Sequence, residues 1–263
     1  MHAAERETLI LRLLSERGFI GFQELERRID ASPATLRRDL GRLVEAGRID
    51  RVRGGARLRS GGDAVDTPGG AHLQGVPFHE NIGRHPRAKA AIGRAAAELC
   101  RRGEAVIIDG GSTTLQMCAH LETLELQVLT NSLHIVSALL PQPGTRISIP
   151  GGTLFREQNI VLSAFEQDGT ERFHATKMFM GAAAVSRHGL MQNDVLLVQA
   201  ERRLLSRTDE LIVLVDSSKF AEPAGHVVCG LDEIHVIITD DGISDADAAA
   251  IEKAGPRLIR VPV

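Results

Sequence analysis

The chain has 263 residues, of which 43 % are hydrophobic and 25 % charged, and a formal net charge of −3 at pH 7. That is the composition of a soluble globular protein, with length for a small domain beside one of roughly 150 to 200 residues. No segment approaches the ~20 apolar residues that span a bilayer and the charged N-terminus is no signal peptide, so a cytoplasmic protein without a membrane partner is expected.

Glu5 to Arg17 places Leu9, Ile10, Leu13 and Leu14 on one side of a first helix, and Phe22, Leu25 and Ile29 define a second, short one. A tight turn, Asp30-Ala31-Ser32, leads into a third helix whose start is sharply marked. Ser32 is a good N-cap, and Pro33 suits the first helical position, where its missing N–H is not needed. Leu36, Leu40 and Leu43 fall at i, i+4 and i+7 on a buried face, and Gly47 stops the helix. Ser32, Ala34, Thr35, Arg38 and Arg42 are thereby turned outward with Arg37 on the flank, so small residues and arginines crowd one helix end. Helices two and three form a helix-turn-helix whose second member enters a DNA groove, and Arg48 to Leu58, turning at Gly54-Gly55, forms a basic wing. Ser32, Thr35, Arg37, Arg38, Arg42 and Arg53 are the candidate DNA-binding residues. The alternative is a three-helix protein-interaction module with a solvated arginine face.

Charge separates this head from the rest. Residues 1–59 hold 13 Arg, no Lys and 9 acidic residues, a net of +4, which leaves −7 for the remainder. Arginine suits phosphate and base contact because its planar fork donates two hydrogen bonds at once. Gly61-Gly62, Pro68, Gly69-Gly70, Gly75 and Pro77 then mark a linker. The expected domains are 1–58, DNA-binding; 59–77, linker; and 78–263, effector-sensing.

Ala88 to Leu99, with Ile92, Ala95, Ala96 and Leu99 on one face, opens the second domain as a helix. Short apolar runs follow at 105–108, 127–129, 146–149, 177–180, 211–215, 235–238 and 257–261, all reading as buried strands. Helices are expected at 114–121, 133–140, 195–208 and 245–254. Strands buried on both faces and alternating with helices predict a mostly parallel sheet in a layered α/β domain, with ligands bound beyond the carboxyl ends of the strands. Cys100, Cys118 and Cys229 lie far apart and the ten His are scattered, so neither a disulfide framework, a metal site nor a cofactor is expected and the thiols read as buried small apolar residues.

Four strand ends carry polar, flexible sequences. Asp109-Gly110-Gly111-Ser112-Thr113-Thr114 runs from a strand into a helix, where glycines admit a ligand, hydroxyls bond it and a helix start favours an anion. It lacks the Lys of a Walker loop and the spacing of a dinucleotide fingerprint. Thr130-Asn131-Ser132, Gly151-Gly152-Thr153 and Asp216-Ser217-Ser218-Lys219-Phe220 follow other strands. Converging on one ligand, Asp109 to Thr114, Thr130, Asn131, Gly151, Gly152, Asp216 and Lys219 suit a small polyhydroxylated, phosphorylated molecule. Asp216 and Lys219 as a mere surface ion pair is the competing reading of the last loop.

Taken together, Ser32-Pro33-Ala34-Thr35-Leu36-Arg37-Arg38-Asp39-Leu40, Val52-Arg53-Gly54-Gly55-Ala56, Arg84 with Lys89, Asp109 to Thr114, Thr130-Asn131, Gly151-Gly152 and Leu214 to Phe220 resemble the DeoR family of bacterial transcription regulators over nearly the whole chain. The resemblance implies a winged helix-turn-helix joined to a sensor domain related to sugar-phosphate isomerases. It further implies a repressor of a sugar or sugar-acid catabolic operon, released from operator DNA by a phosphorylated effector. A dimer or tetramer is expected, because two half-sites one helical turn apart suit a symmetric protein. The chain departs from the family at Leu197 and Glu201, where many relatives carry a carboxylate and a lysine. A rival from another class is a sugar-phosphate isomerase or hydrolase with an accessory N-terminal domain, Asp109 and Lys219 supplying base and electrophile. A weaker one is a sensor that binds a partner protein through the head.

Overall fold

The computed structural model describes residues 3–17, 19–29, 31–46, 48–52, 55–58, 73–163 and 167–263. The chain divides into two units, residues 1–71 and 72–263.

The first unit runs α1 (Ala3–Arg17), β1 (Phe19–Gly21), α2 (Phe22–Arg28), α3 (Pro33–Glu45), β2 (Ile49–Val52) and β3 (Gly55–Leu58). Its core is the set of apolar positions that helical spacing selects, Ile10, Leu13, Leu14, Leu25, Ile29, Leu36, Leu40 and Leu43, joined by Ile20, Ile49 and Ala56. β2 and β3 pair antiparallel as the expected wing, Ile49 opposite Leu58 and Val52 opposite Gly55. The short β1 then adds to the other edge of β3. Sequence periodicity misses β1 because three residues are too few to show a period of two, and its partner lies more than thirty residues on.

In the second unit α4 (Phe78–Asn81) and α5 (Pro86–Ala97) precede β4 (Ala105–Ile108), α6 (Thr114–Met117), β5 (Gln127–Leu129), α7 (Leu133–Leu139) and β6 (Arg146–Ser148). A hairpin of β7 (Thr153–Phe155) and β8 (Ile160–Leu162) follows, then β9 (Ala175–Met180), β10 (Ala184–Ser186), β11 (Gly189–Gln192), α8 (Val195–Leu205), β12 (Thr208–Leu214) and β13 (His226–Cys229). β14 (Val236–Asp240), α9 (Asp245–Ala254) and β15 (Arg257–Val261) complete the order.

The seven expected strands are the seven strands of one sheet, ordered β15-β14-β12-β9-β4-β5-β6 and parallel at every pairing. Alternation along each strand feeds two cores. Val106, Ile108, Phe179, Ile212 and Leu214 pack with α5, α6 and α7 on one face, whereas Ile107, Met178, Met180, Leu211 and Val213 pack with α8 and α9 on the other. The chain winds outward from β4 through β5 and β6, then returns to add β9, β12, β14 and β15 on the opposite side. The winding therefore reverses between β4 and β9, which is where an open α/β sheet forms its ligand crevice.

Three expectations are corrected. The helix expected at 114–121 is α-helical only to Met117 and continues as a 3-10 turn, so no long helix aligns its dipole on the Asp109 loop. β10, β11 and β13 form a separate antiparallel sheet that periodicity does not reveal. Residues 73–77, read as linker, are folded: Leu73 is buried with Ile160, Leu162 and Ala200. The Gln74 N–H donates to Asp194 Oδ2 at 2.8 Å, and Gln158 Nε2 donates to the Val76 carbonyl at 2.8 Å. Those partners lie 82 to 120 residues away, beyond any local pattern. Residues 59–72 lie outside the described residues.

Candidate functional site

In the first unit the candidate surface is the N-terminal end of α3. Ser32 caps it: its Oγ accepts the Thr35 N–H at 3.2 Å and lies 2.8 Å from the Thr35 hydroxyl. Pro33, Ala34, Arg37 and Arg38 are exposed. The Arg37 guanidinium sits over the Phe22 ring, 5.0 Å from its centroid, a cation–π contact that holds the side chain against α2. Arg38 forms no ion pair among the described residues. Arg42 is exposed as expected but is engaged: it donates to Glu7 Oε1 at 2.7 Å and pairs with Asp39. Asp39 is buried, and it also accepts Arg6 Nε at 2.7 Å. An acid at i−3 and another on α1 turn Arg42 into a clamp between helices. Sequence reading missed Arg6 and Asp39, although an aspartate among outward arginines was the signal. Arg53 lies outside the described residues.

In the second unit a cavity of about 110 Å³ opens at the carboxyl ends of β4 and β9, at the winding reversal. Asp109, Gly110, Gly111, Ser112, Thr113 and Lys219 line it. Thr114, Thr130, Asn131 and Asp216 are buried but are not among its lining residues, and each holds a loop in place. The Thr114 hydroxyl donates to the Asp109 carbonyl at 2.8 Å, and Thr130 Oγ1 accepts the Ser132 N–H at 3.2 Å. Asn131 is a brace: its Nδ2 donates to Asp109 Oδ1 and its Oδ1 accepts the Gly110 N–H, both at 2.9 Å. Gly110 must be glycine, since a Cβ there would lie 2.6 Å from Ile160 Cγ2. Asp216 accepts the Ser218 N–H at 3.2 Å as the cap of a 3-10 turn, so it is not the ion-pair partner of Lys219. That partner is Glu222, at 2.9 Å.

Gly151 and Gly152 are corrected as ligand contacts, because neither lines the cavity. The Gly151 N–H donates to the Asp168 carbonyl at 2.7 Å. Gly152 adopts φ +156°, with space for a Cβ closed by the Leu162 carbonyl at 2.3 Å. Its glycine serves the entry to the β7–β8 hairpin.

Several lining residues lie outside the candidate list, Asn81, Gln158, Gln192 and Asn193 among them, and so do Lys89 and Glu201, which entered the sequence reading only through the family resemblance. Lys89 is buried, and its Nζ donates to the Asn81 carbonyl and, at 3.2 Å, to Asn81 Oδ1. Burial lowers its pKa to about 8, Asp216 acting against the shift and Lys219 with it. Asp109 is raised to about 6 by burial, its hydrogen bonds from Asn131 and Gly110 opposing the shift. Glu201 is pushed well above the usual carboxylate range by burial and by Asp109. Both missed ionisable groups break an apolar helix face, Lys89 beside Ile92 and Ala96, Glu201 between Leu197 and Leu204. A charged residue at a core position of an amphipathic helix was the signal. Among the described residues no helix is long and apolar enough to cross a membrane, and no group of His, Cys, Asp and Glu could hold a metal ion.

Comparison with known proteins follows the same division. The DeoR-like helix-turn-helix domain matches residues 6–61 and the DeoR C terminal sensor domain matches residues 84–241. The HTH-type transcriptional regulator UlaR of Shigella dysenteriae serotype 1 (strain Sd197) is 31 % identical over 263 residues, covering 99 % of this chain and 100 % of that protein. UlaR of Escherichia coli (strain K12 / DH10B) matches to the same extent. Among solved structures, ribose 5-phosphate isomerase A of Methanocaldococcus jannaschii aligns over 50 % of this chain and 53 % of its own, with a TM-score of 0.37 and 17 % identity. The beta subunit of eIF2B from Chaetomium thermophilum aligns over 58 % and 48 %, with a TM-score of 0.40 and 15 % identity. From the two domain matches and the full-length relatives, the chain belongs to the DeoR family of DNA-binding transcriptional regulators.

Proposed function

We propose that this regulator is a cytoplasmic repressor, acting as a dimer or tetramer, that holds operator DNA through α3 and the wing. It releases the DNA when a phosphorylated sugar or sugar acid fills the cavity at the reversal of the sheet. The observation that carries the reading is the pair of buried lysines, Lys89 and Lys219, on the wall of a cavity that a glycine and hydroxyl loop also lines. Lys89, whose ammonium meets only the neutral oxygens of Asn81 among the described residues, is desolvated in a way that an anion would relieve, and glycines and hydroxyls are what a phosphate or a polyol requires. In the head, Arg37 and Arg38 read or clamp the duplex, Ser32 and Thr35 fix the helix start, and Arg53 works from the wing.

The test is fluorescence anisotropy on a DNA fragment from upstream of the protein's own gene. Arg38→Ala should weaken binding by ~1 to 3 kcal/mol if the side chain contacts a base edge, and raising salt should weaken the wild type steeply. Ribulose 5-phosphate or 6-phosphogluconate should lower operator affinity by a coupling of ~1 to 3 kcal/mol, and Lys219→Ala should lose that response. Incubated alone with ribose 5-phosphate, the protein should yield no ribulose 5-phosphate. Operator binding untouched in both Arg37→Ala and Arg38→Ala would remove α3 as the reading element.

A further inference from the structure

One group on the cavity wall has no assignment in that scheme. Glu201 of α8 is 2 % exposed and lines the cavity. Its Oε1 accepts Gln192 Nε2 at 2.7 Å. Its Oε2 is buried with no hydrogen-bond partner among the described residues. A buried polar atom left unpaired is a standing penalty, and natural proteins keep one where function needs it. Burial, together with the like charge of Asp109, pushes the Glu201 carboxyl well above the usual carboxylate range and so favours its acid form. Since Oε1 is occupied as an acceptor, the proton belongs on Oε2, which makes that atom a hydrogen-bond donor awaiting an acceptor.

Asp109 on the same wall has the opposite character. Its Oδ1 accepts from Asn131 at 2.9 Å, and with a pKa of about 6 it is mostly ionised at neutral pH. The largest charge effects on Lys89 come from Asp216, Lys219, Arg84 and Glu222, whereas the charge that acts on Glu201 is that of Asp109. The cavity is thus polarised, with ammonium groups at one end and an acid donor beside a carboxylate acceptor at the other.

Resting on the reading of this cavity as a sugar-phosphate site, we propose that Glu201 is its specificity-determining residue: Oε2 donates to the neutral carbonyl oxygen of a ketose or lactone phosphate, while Asp109 accepts from the hydroxyl on the adjacent carbon. A hydroxyl in place of the carbonyl is the poorer acceptor.

The test uses pairs of phosphates that differ only at the carbonyl: the open-chain ketoses ribulose 5-phosphate and xylulose 5-phosphate against ribitol 5-phosphate and xylitol 5-phosphate. Affinities for the full-length wild type, Glu201→Gln and Glu201→Ala are measured by calorimetry, with a cooperative thermal melt confirming that each variant is folded. The wild type should favour the carbonyl member of at least one pair by about tenfold, the size of one net hydrogen bond. Glu201→Gln, whose amide N–H takes the place of the acid proton, should keep the preference, and Glu201→Ala should bring the ratio near one. Equal or tighter binding of the alditols by the wild type overturns the proposal while leaving the sugar-phosphate reading intact. Loss of the preference in Glu201→Gln as complete as in Glu201→Ala overturns it in favour of an ionised acceptor. If none of the phosphates binds, alditols included, the sugar-phosphate reading itself fails and the assignment of Glu201 falls with it.

Discussion

Asp109 carries its charge against a burial penalty, and the sign of that penalty makes it measurable. Its pKa in the folded chain is raised from 3.8 to about 6, so between those values the native state binds a proton that the unfolded chain has lost. Stability contributed at this position is therefore present below about pH 4 and is lost as pH rises through 6, by on the order of 3 kcal/mol at 1.36 kcal/mol per unit. Asp109→Asn keeps an oxygen to accept from Asn131 and removes the charge. In urea melts it should exceed wild-type stability at pH 7.5 and converge with it near pH 4; parallel profiles would show that Asp109 is not the buried charge described. Lys89 gives the complementary experiment. With its pKa lowered to about 8, it is half neutral at that pH, and an anion that restores the ammonium must draw in a proton. Calorimetry at pH 8 in buffers of different ionisation enthalpy should show net proton uptake on binding a sugar phosphate, and Lys89→Met should abolish it. The Asp109 loop was legible as a polar strand end, but the charge states were not. A pKa depends on desolvation and on neighbours such as Asn131, 22 residues away.

At the scale of elements, two helix glycines that look alike in sequence have opposite meanings. Gly41 lies inside α3, and a Cβ added there would meet nothing within 4 Å, so only its backbone entropy matters. Gly41→Ala should raise the stability of the head by about 0.5 to 1 kcal/mol in chemical denaturation. Gly93 lies inside α5, where a Cβ would come within 2.6 Å of Gln116 Cβ and 2.7 Å of the Gln116 backbone. Gly93→Ala should destabilise the second unit by roughly 1 to 3 kcal/mol, because a backbone contact has no rotamer through which to yield. Equal effects in the two variants would contradict the close approach of α5 and α6. Caps, apolar spacing and the buried strands were readable because each is a local pattern within a short stretch of chain. The β7–β8 hairpin and the β10-β11-β13 sheet were not, since three- and four-residue strands with mixed burial carry no period.

At the scale of the whole molecule, regulation requires that ligand favour one functional state over the other, and the coupling is reciprocal. Operator DNA should therefore weaken effector binding by the same factor by which the effector weakens operator binding. Titrating ribulose 5-phosphate into the protein with and without saturating operator checks this. Unequal factors would mean that a third species, such as a change of oligomer, is part of the switch.

The sequence by itself determined the basic head and acidic body, the capped third helix with its wing, the seven strands of the parallel sheet and the family. Each follows from composition or from short-range periodicity, which are properties of neighbouring residues. Tertiary structure alone decided which polar residues meet. It set Lys89, Gln192 and Glu201 around the Asp109 loop, paired the exposed Arg42 with Asp39 and Glu7, and placed Gly151 and Gly152 outside the cavity lining. It also turned Gln74, Gly75 and Val76 from apparent linker into cavity wall. The physical reason for most of these is that a hydrogen bond or ion pair between residues tens of positions apart leaves no trace in local pattern; around the cavity it exists only once the chain has reversed its winding and brought the strand ends together.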